Sequence, residues 1–254
     1  MPQENDIFPS EKEAPPEGWD GILEGEEATH QEVVEIAQKA ADEGNATALY
    51  VLGTAYYFGK GVPCDKKQAF ECYFKAAAQG LPHAQYNLGV MYENAEACPQ
   101  SHEKAFLWYE KAARQGFAKA QHNLAALWEA GLGTPKSAQK AAFWFEEAAG
   151  QGDFRAQYRL ALLLLRGEAK PSSSAAPSQA PVPSSAEEEA PLQAGLLWLR
   201  KAAEQSFAPA QYTLGLLLEK GIGQPSNLQE ARRLYEAAAA KGVPEALAAV
   251  ERLD

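Results

Sequence analysis

Between residues 84 and 119 the apolar positions fall at helical spacing in two runs separated by a polar break. Ala84, Leu88, Met91 and Tyr92 lie three or four residues apart, which sets them on one face of a first helix. Ala105, Trp108, Tyr109, Ala112 and Ala113 keep the same spacing in a second helix, predicted from about Ser101 to Gln115. The small residues let the helices approach closely, and the aromatics fill the space between one pair and the next. No alternating run of β-branched residues occurs, so the chain reads as all-α.

The pattern recurs almost word for word as KAAAQGLPHAQYNLG, KAARQGFAKAQHNLA and KAAEQSFAPAQYTLG. The alanines opening the equivalent phrases are Ala48, Ala84, Ala120, Ala156, Ala210 and Ala246, so the steps are 36, 36, 36, 54 and 36. A fixed period of this length predicts a solenoid of stacked helical hairpins. Pro63, Pro99, Pro135 and Pro225 recur just ahead of the second helix, where a missing N–H costs little. Gly44, Gly80, Gly116, Gly152 and Gly242 follow it, as a left-handed helix cap requires. Ser206 breaks that series, which predicts either a cap strained by about 1 kcal/mol or a different loop path. The pairs Gly59/Gly61, Gly131/Gly133 and Gly221/Gly223 follow helices rather than strands, so they read as turn residues and not as a dinucleotide fingerprint.

The 54-residue step marks an insertion of Pro, Ser and Glu at about residues 169 to 190, expected as a disordered loop between the two helices of the fourth unit. The array is expected over 32 to 254, behind a largely extended or disordered leader over 1 to 31. Residues 1 to 32 hold ten acidic residues and one lysine, or -9 of the net -11, leaving -2 for the rest. That balance lacks the basic face a phosphate backbone needs, so no nucleic acid is expected. Cys64, Cys72 and Cys98 form no CxxC, and the four histidines at 30, 83, 102 and 122 show no ligand spacing, so neither metal nor cofactor is expected. The thiols are read as reduced, as in a cytosolic protein. The longest apolar run, LALLLL at 160 to 165, falls far short of the roughly 20 residues of a membrane span. The acidic start resembles no signal or transit peptide, so the chain as it stands reads as cytosolic; Met1-Pro2 fits equally a start inside a longer protein. No nucleophile with a base and no carboxylate pair recurs at useful spacing, which speaks against an enzyme and a small-molecule substrate.

AQYNLG, YEKAARQG and AFLWYEKAA at a period of 36 resemble the Sel-one-like branch of the tetratricopeptide superfamily over roughly residues 33 to 254. The resemblance implies a right-handed solenoid of antiparallel helix pairs that binds proteins and has no catalytic centre. More narrowly, the repeat set, the Pro/Ser insertion and the leader DIFPSEKEAPPEGWDGILEG resemble the C-terminal part of an animal mitochondrial stress messenger. That implies a chain that assembles with itself, a haem-regulated stress kinase as partner, and a parent protein targeted to mitochondria.

Where the family usually places small polar residues between units, this chain carries Leu81, Phe117, Phe154, Phe207 and Val243. Such an edge would be a patch for self-assembly or partner docking, or a set of staples folded onto the next hairpin. Arg155 and Arg159 beside Phe154 would add polar contacts to it, or are solvated helix charges. Tyr50, Tyr86, His122, Tyr158 and Tyr212 share one first-helix position that reads as a peptide groove or as packing between units. Trp108, Trp144 and Trp198 recur and are expected in the core. In the leader, Trp19, Ile22 and Leu23 form a docking motif or a cap on the array's end. Asn45-Ala46-Thr47 fits a glycosylation sequon.

Overall fold

The computed structural model describes residues 30–171 and 184–253, and among them all regular structure is helical. The helices group into two compact units, one ending at Pro99 and the other beginning at Gln100. In the first, α1 (His30–Asp42), α2 (Ala46–Phe58), α3 (Lys66–Ala78) and α4 (Pro82–Glu93) each pack on the next. The second holds α5 (His102–Ala113), α6 (Ala118–Ala130), α7 (Ala138–Gly150), α8 (Phe154–Leu165), α9 (Ser184–Glu204), α10 (Ala208–Lys220), α11 (Leu228–Ala239) and α12 (Pro244–Leu253), again each on its neighbour. This nearest-neighbour packing is that of a helical-repeat solenoid.

Each hairpin is filled from its second helix by one large side chain: Tyr73, Tyr109, Phe145, Leu199 and Tyr235 are at most 2 % exposed and occupy one repeat position. Tyr73 and Tyr235 face glycines. A Cβ on Gly53 would stand 2.8 Å from the Tyr73 ring, and one on Gly215 would stand 2.7 Å from that of Tyr235. Phe145 and Leu199 are smaller, and the same first-helix position then holds Ala125 and Ala161 in their clusters. Size is traded across the pair, as close packing demands. The tyrosine hydroxyls end on polar partners, Tyr73 on Thr54 Oγ1 at 3.1 Å and Tyr235 on a Glu219 carboxylate oxygen at 2.6 Å.

The turn signals act as read. Two residues after each of the four prolines stands the N-cap of a second helix, Asp65, Ser101, Ser137 or Asn227, whose side chain accepts a backbone N–H. Ser206 takes the left-handed conformation of the glycines it replaces, with φ 64°. Lys241 donates its ammonium to the Ser206 carbonyl, a backbone contact that glycine would keep. We expect Ser206→Gly to stabilise the protein by about 0.5–1 kcal/mol in urea unfolding, the relieved left-handed penalty less the extra freedom of the unfolded glycine. A loss of stability would show that the serine is at ease there.

The loop after α4 is the one that lacks turn glycines. Ala95 and Ala97, at φ 58° and 57°, hold the places of the Gly-x-Gly pairs, at about 1–2 kcal/mol each. Glu96 between them anchors the loop, accepting from Tyr57 Oη at 2.6 Å and from Lys66 Nζ at 2.9 Å.

A buried glutamine recurs beside the phrase-opening alanine. Gln85, Gln121, Gln157 and Gln211 each donate Nε2 to a carbonyl eight residues earlier, at 3.2 to 3.3 Å. In the second unit Gln151 donates to Gln121 Oε1 at 2.7 Å and Gln205 donates to Gln157 Oε1 at 2.9 Å, so one hairpin is tied to the next. At the next equivalent position stands Lys241, and Gln211 Oε1 has no donor.

Two expectations change. The insertion is narrower than residues 169 to 190: Ala169 is 4 % exposed, Lys170 N donates to Gln139 Oε1 at 2.9 Å, and α9 already runs from Ser184. The helix runs through Pro191, although that proline forgoes one internal hydrogen bond. Trp108, Trp144 and Trp198 are half-buried rather than fully in the core. The Lys111 and Lys201 ammonium groups lie 4.0 and 4.2 Å from the Trp108 and Trp198 ring centroids. The leader candidates Trp19, Ile22 and Leu23 lie outside the described residues.

Candidate interaction surface

The residue entering each first helix is in extended conformation, and its side chain decides what caps the helix. Asn45 and Asp153 accept backbone N–H groups there, whereas Leu81, Phe117 and Phe207 make no side-chain cap. Forgoing a cap costs about 1 kcal/mol, which apolar contact must offset. Leu81, Phe117, Phe207 and Val243 are all half-buried. Phe154 stands one residue later, as the first residue of α8. In the second unit Phe207 packs on Phe154 with ring centroids 5.0 Å apart and on Tyr158 at 5.4 Å. Phe207 and Val243 also join the fringe of the α9–α12 core. The rings therefore pack on one another while keeping part of each in water, so the structure brings Phe154 and Phe207 together.

The two arginines differ in their bonds. Arg155 is exposed, its guanidinium 5.7 Å from the Phe154 ring centroid. Arg159 grips one oxygen of Glu129 through Nε at 3.1 Å and Nη2 at 2.5 Å, which ties α8 to α6.

The first-helix row packs against the second helices. Tyr50 lies 5.9 Å from Tyr73, and Tyr212 lies 5.7 Å from Tyr235. His122 takes the same place, edge-on to Phe145 at 5.5 Å, with Nδ1 3.6 Å from Asp153 Oδ2. Burial holds its pKa below the ordinary histidine value, against the pull of Asp153. A depressed histidine pKa favours the neutral folded form, so its stability contribution is full above about pH 6.5 and is lost as the pH falls. We expect Tm to drop between about pH 7 and pH 5, and to drop less in His122→Tyr, which installs the residue found at 86, 158 and 212. Parallel curves for the two proteins would remove His122 from the acid response.

A second apolar row was not foreseen. Leu107, Phe143 and Leu197 are 55 %, 50 % and 55 % exposed on α5, α7 and α9, at one repeat position immediately before the three tryptophans. Their 36- and 54-residue steps are visible in the sequence and are the signal that would have found them.

Among the described residues no cluster of His, Cys, Asp and Glu could hold a metal, and no helix is long and apolar enough to cross a membrane. No two of the three cysteines are joined in a disulfide; burial pushes the Cys72 thiol up to about 11, which leaves it unreactive.

Stacked helical hairpins that bear apolar surface define a protein-interaction scaffold of the helical-repeat class. Sel1 repeats match residues 46–81, 82–117, 118–153, 154–176, 192–207 and 208–243. The chain belongs to the Sel1 repeat family, whose members are generally non-catalytic scaffolds. It is similar to the crystal structure of c5321, a protective antigen of uropathogenic Escherichia coli, with a TM-score of 0.75 and 30 % identity over 87 % of this chain and 44 % of that one. It is also similar to a Sel1 repeat protein from Oxalobacter formigenes, with a TM-score of 0.72 and 28 % identity over 87 % of this chain and 81 % of that one. Shorter matches join it to the chitin synthase regulator SKT5 of Malassezia restricta, 46 % identical over 46 residues, 18 % of this chain and 3 % of that protein. Chitin synthase regulatory factor 3 of Schizosaccharomyces pombe is 43 % identical over 51 residues, 20 % of this chain and 6 % of that protein.

Proposed function

We propose that the chain is a non-enzymatic scaffold that self-associates in the cytosol and relays mitochondrial stress by binding and activating the haem-regulated kinase of the integrated stress response. The family supports the scaffold part. The kinase and the mitochondrial link rest on the resemblance of the leader, repeats and insertion to the C-terminal repeat region of the animal death ligand signal enhancer. The observation that carries self-association is the row of half-exposed apolar residues entering the first helices, centred on Phe154 and Phe207, with Arg155 at its margin. Clustered copies would bring kinase molecules together.

The test is molar mass by light scattering across a hundredfold dilution. We expect a discrete multimer, dissociated by Phe117→Ser or Phe207→Ser with helical circular dichroism retained, and kinase activation lost with it. Helicity that collapses in step with assembly would make those rings core staples, and a monomer at every concentration would remove self-association.

The second reading is a monomeric adaptor for another complex, for example in endoplasmic reticulum quality control. The exposed sequon Asn45-Ala46-Thr47 favours it. The fungal relatives are named as regulators of another enzyme, which also fits an adaptor. A mass shift on deglycosylation would support this reading.

A further inference from the structure

The loop after α4 follows the path of the glycine turns without their glycines. Glu96 N donates to the Met91 carbonyl at 2.9 Å, the same bond that Lys60, Leu132 and Ile222 make to Ala55, Leu127 and Leu217 in the turns of Gly59/Gly61, Gly131/Gly133 and Gly221/Gly223. Glycine takes the left-handed conformation on both sides of that middle residue at little cost, whereas Ala95 and Ala97 are strained in it. The middle side chain differs too. Leu132 and Ile222 are each 40 % exposed, while the Glu96 side chain is 15 % exposed and bridges Tyr57 Oη and Lys66 Nζ. Lys66 Nζ stands 5.0 Å from the Tyr57 ring centroid, so the two donors converge on one carboxylate.

At Gly61 and Gly133, the places equivalent to Ala97, an added Cβ would stand 2.4 Å from the carbonyl oxygen of His30 or His102, at the start of a second helix. Ala97 carries that Cβ, so the same backbone seat is closed to this turn, and it meets the start of α3 through a carboxylate instead. We propose that residues 94–98 form a strap over the turn between α2 and α3, fastened by the Glu96 carboxylate and sprung by the two left-handed alanines. When the carboxylate lets go, Ala95 and Ala97 relax out of the left-handed region, and the loop lifts from Tyr57 and Lys66. Cys98 lifts with it. Its thiol is half-buried in the closed strap and donates to the Met91 carbonyl at 3.6 Å. The strap lies wholly within the first unit and does not depend on self-association.

The cysteines supply the test. Cys98 sits in the strap, Cys72 is buried in α3 and Cys64 is exposed, so pulses of N-ethylmaleimide on the full chain, mapped by peptide mass, separate strap opening from general unfolding. Cys64 serves as the reference for the reagent. We expect Glu96→Ala to raise the labelling rate of Cys98 about tenfold while Cys72 keeps its rate. Adding Ala95→Gly and Ala97→Gly to that variant should bring Cys98 back to within about twofold of its original rate, because glycines hold the path without the clasp. An unchanged Cys98 rate in Glu96→Ala would overturn the proposal, since the loop would then stay shut unfastened. So would a Cys72 rate that rises in step with Cys98, the mark of general unfolding, or a glycine pair that fails to slow Cys98, which would show that the alanines do not drive the opening.

Discussion

Phe145→Ala is expected to destabilise the second unit by about 3–5 kcal/mol. Phe145 is completely buried, lies edge-on to His122 and fills a hairpin whose facing residue, Ala125, is too small to move into the space. The surrounding alanines at 141, 148, 149 and 156 have no rotamers with which to close a cavity. Because each helix packs mainly on its neighbours, the loss should also uncouple α6–α7 from α8–α9, seen as a broadened urea transition with a lower slope. Phe145→Leu, which installs the residue of position 199, should cost about 1–2 kcal/mol and keep a single transition. A cost below about 1 kcal/mol for the alanine variant would show that the hairpin can collapse and is not held by this ring.

Gly133→Ala is the second severe substitution, for a different reason. Gly133 has φ 67°, where an L-residue is disfavoured by about 1–2 kcal/mol. Its added Cβ would also stand 2.4 Å from the carbonyl carbon and oxygen of His102, at the start of α5. Backbone cannot rotate aside as a side chain can, so the loop or the helix start must shift, bringing the total to about 3 kcal/mol or more. Gly116→Ala shares the positive φ, at 85°, but has nothing within 4 Å of its Cβ and should cost only the conformational part. The difference between the two midpoints in thermal unfolding therefore measures the collision. Equal midpoints would mean that the contact between the loop and α5 yields freely.

Most of the hairpin architecture was legible because its signals are local. The Pro before a second helix, the Gly after it and the odd Ser206 each report a backbone conformation that only a few residue types accept, and all three held. Leu81, Phe117, Phe154, Phe207 and Val243 stand out in the sequence as departures from the repeat, although Phe154 lies one residue beyond the position that the other four share; whether such rings face water or each other depends on the next hairpin, which no local pattern encodes. The tryptophans and the row before them were harder. Adjacent helical residues point about 100° apart, so when both are large and apolar, as at Leu107-Trp108, Phe143-Trp144 and Leu197-Trp198, periodicity alone cannot say which turns outward. The structure turns the first of each pair out and leaves the second half-buried. The glutamine of each phrase was visible as a recurrence, but its acceptor is a carbonyl on the preceding helix, and that pairing exists only once the hairpins stack.

Those glutamines have a bearing on the stretched unit. Gln151 reaches Gln121 across 30 positions of chain, and Gln205 reaches Gln157 across 48, yet the two bonds are almost the same length, 2.7 and 2.9 Å. The tie between hairpins is therefore kept at that point despite the longer chain. The hairpin that bears Phe207 is tied to its predecessor as the one before it is, although the chain between the bonded glutamines is 18 residues longer. The fourth unit thus carries its extra length outside the seam of glutamines that joins one hairpin to the next.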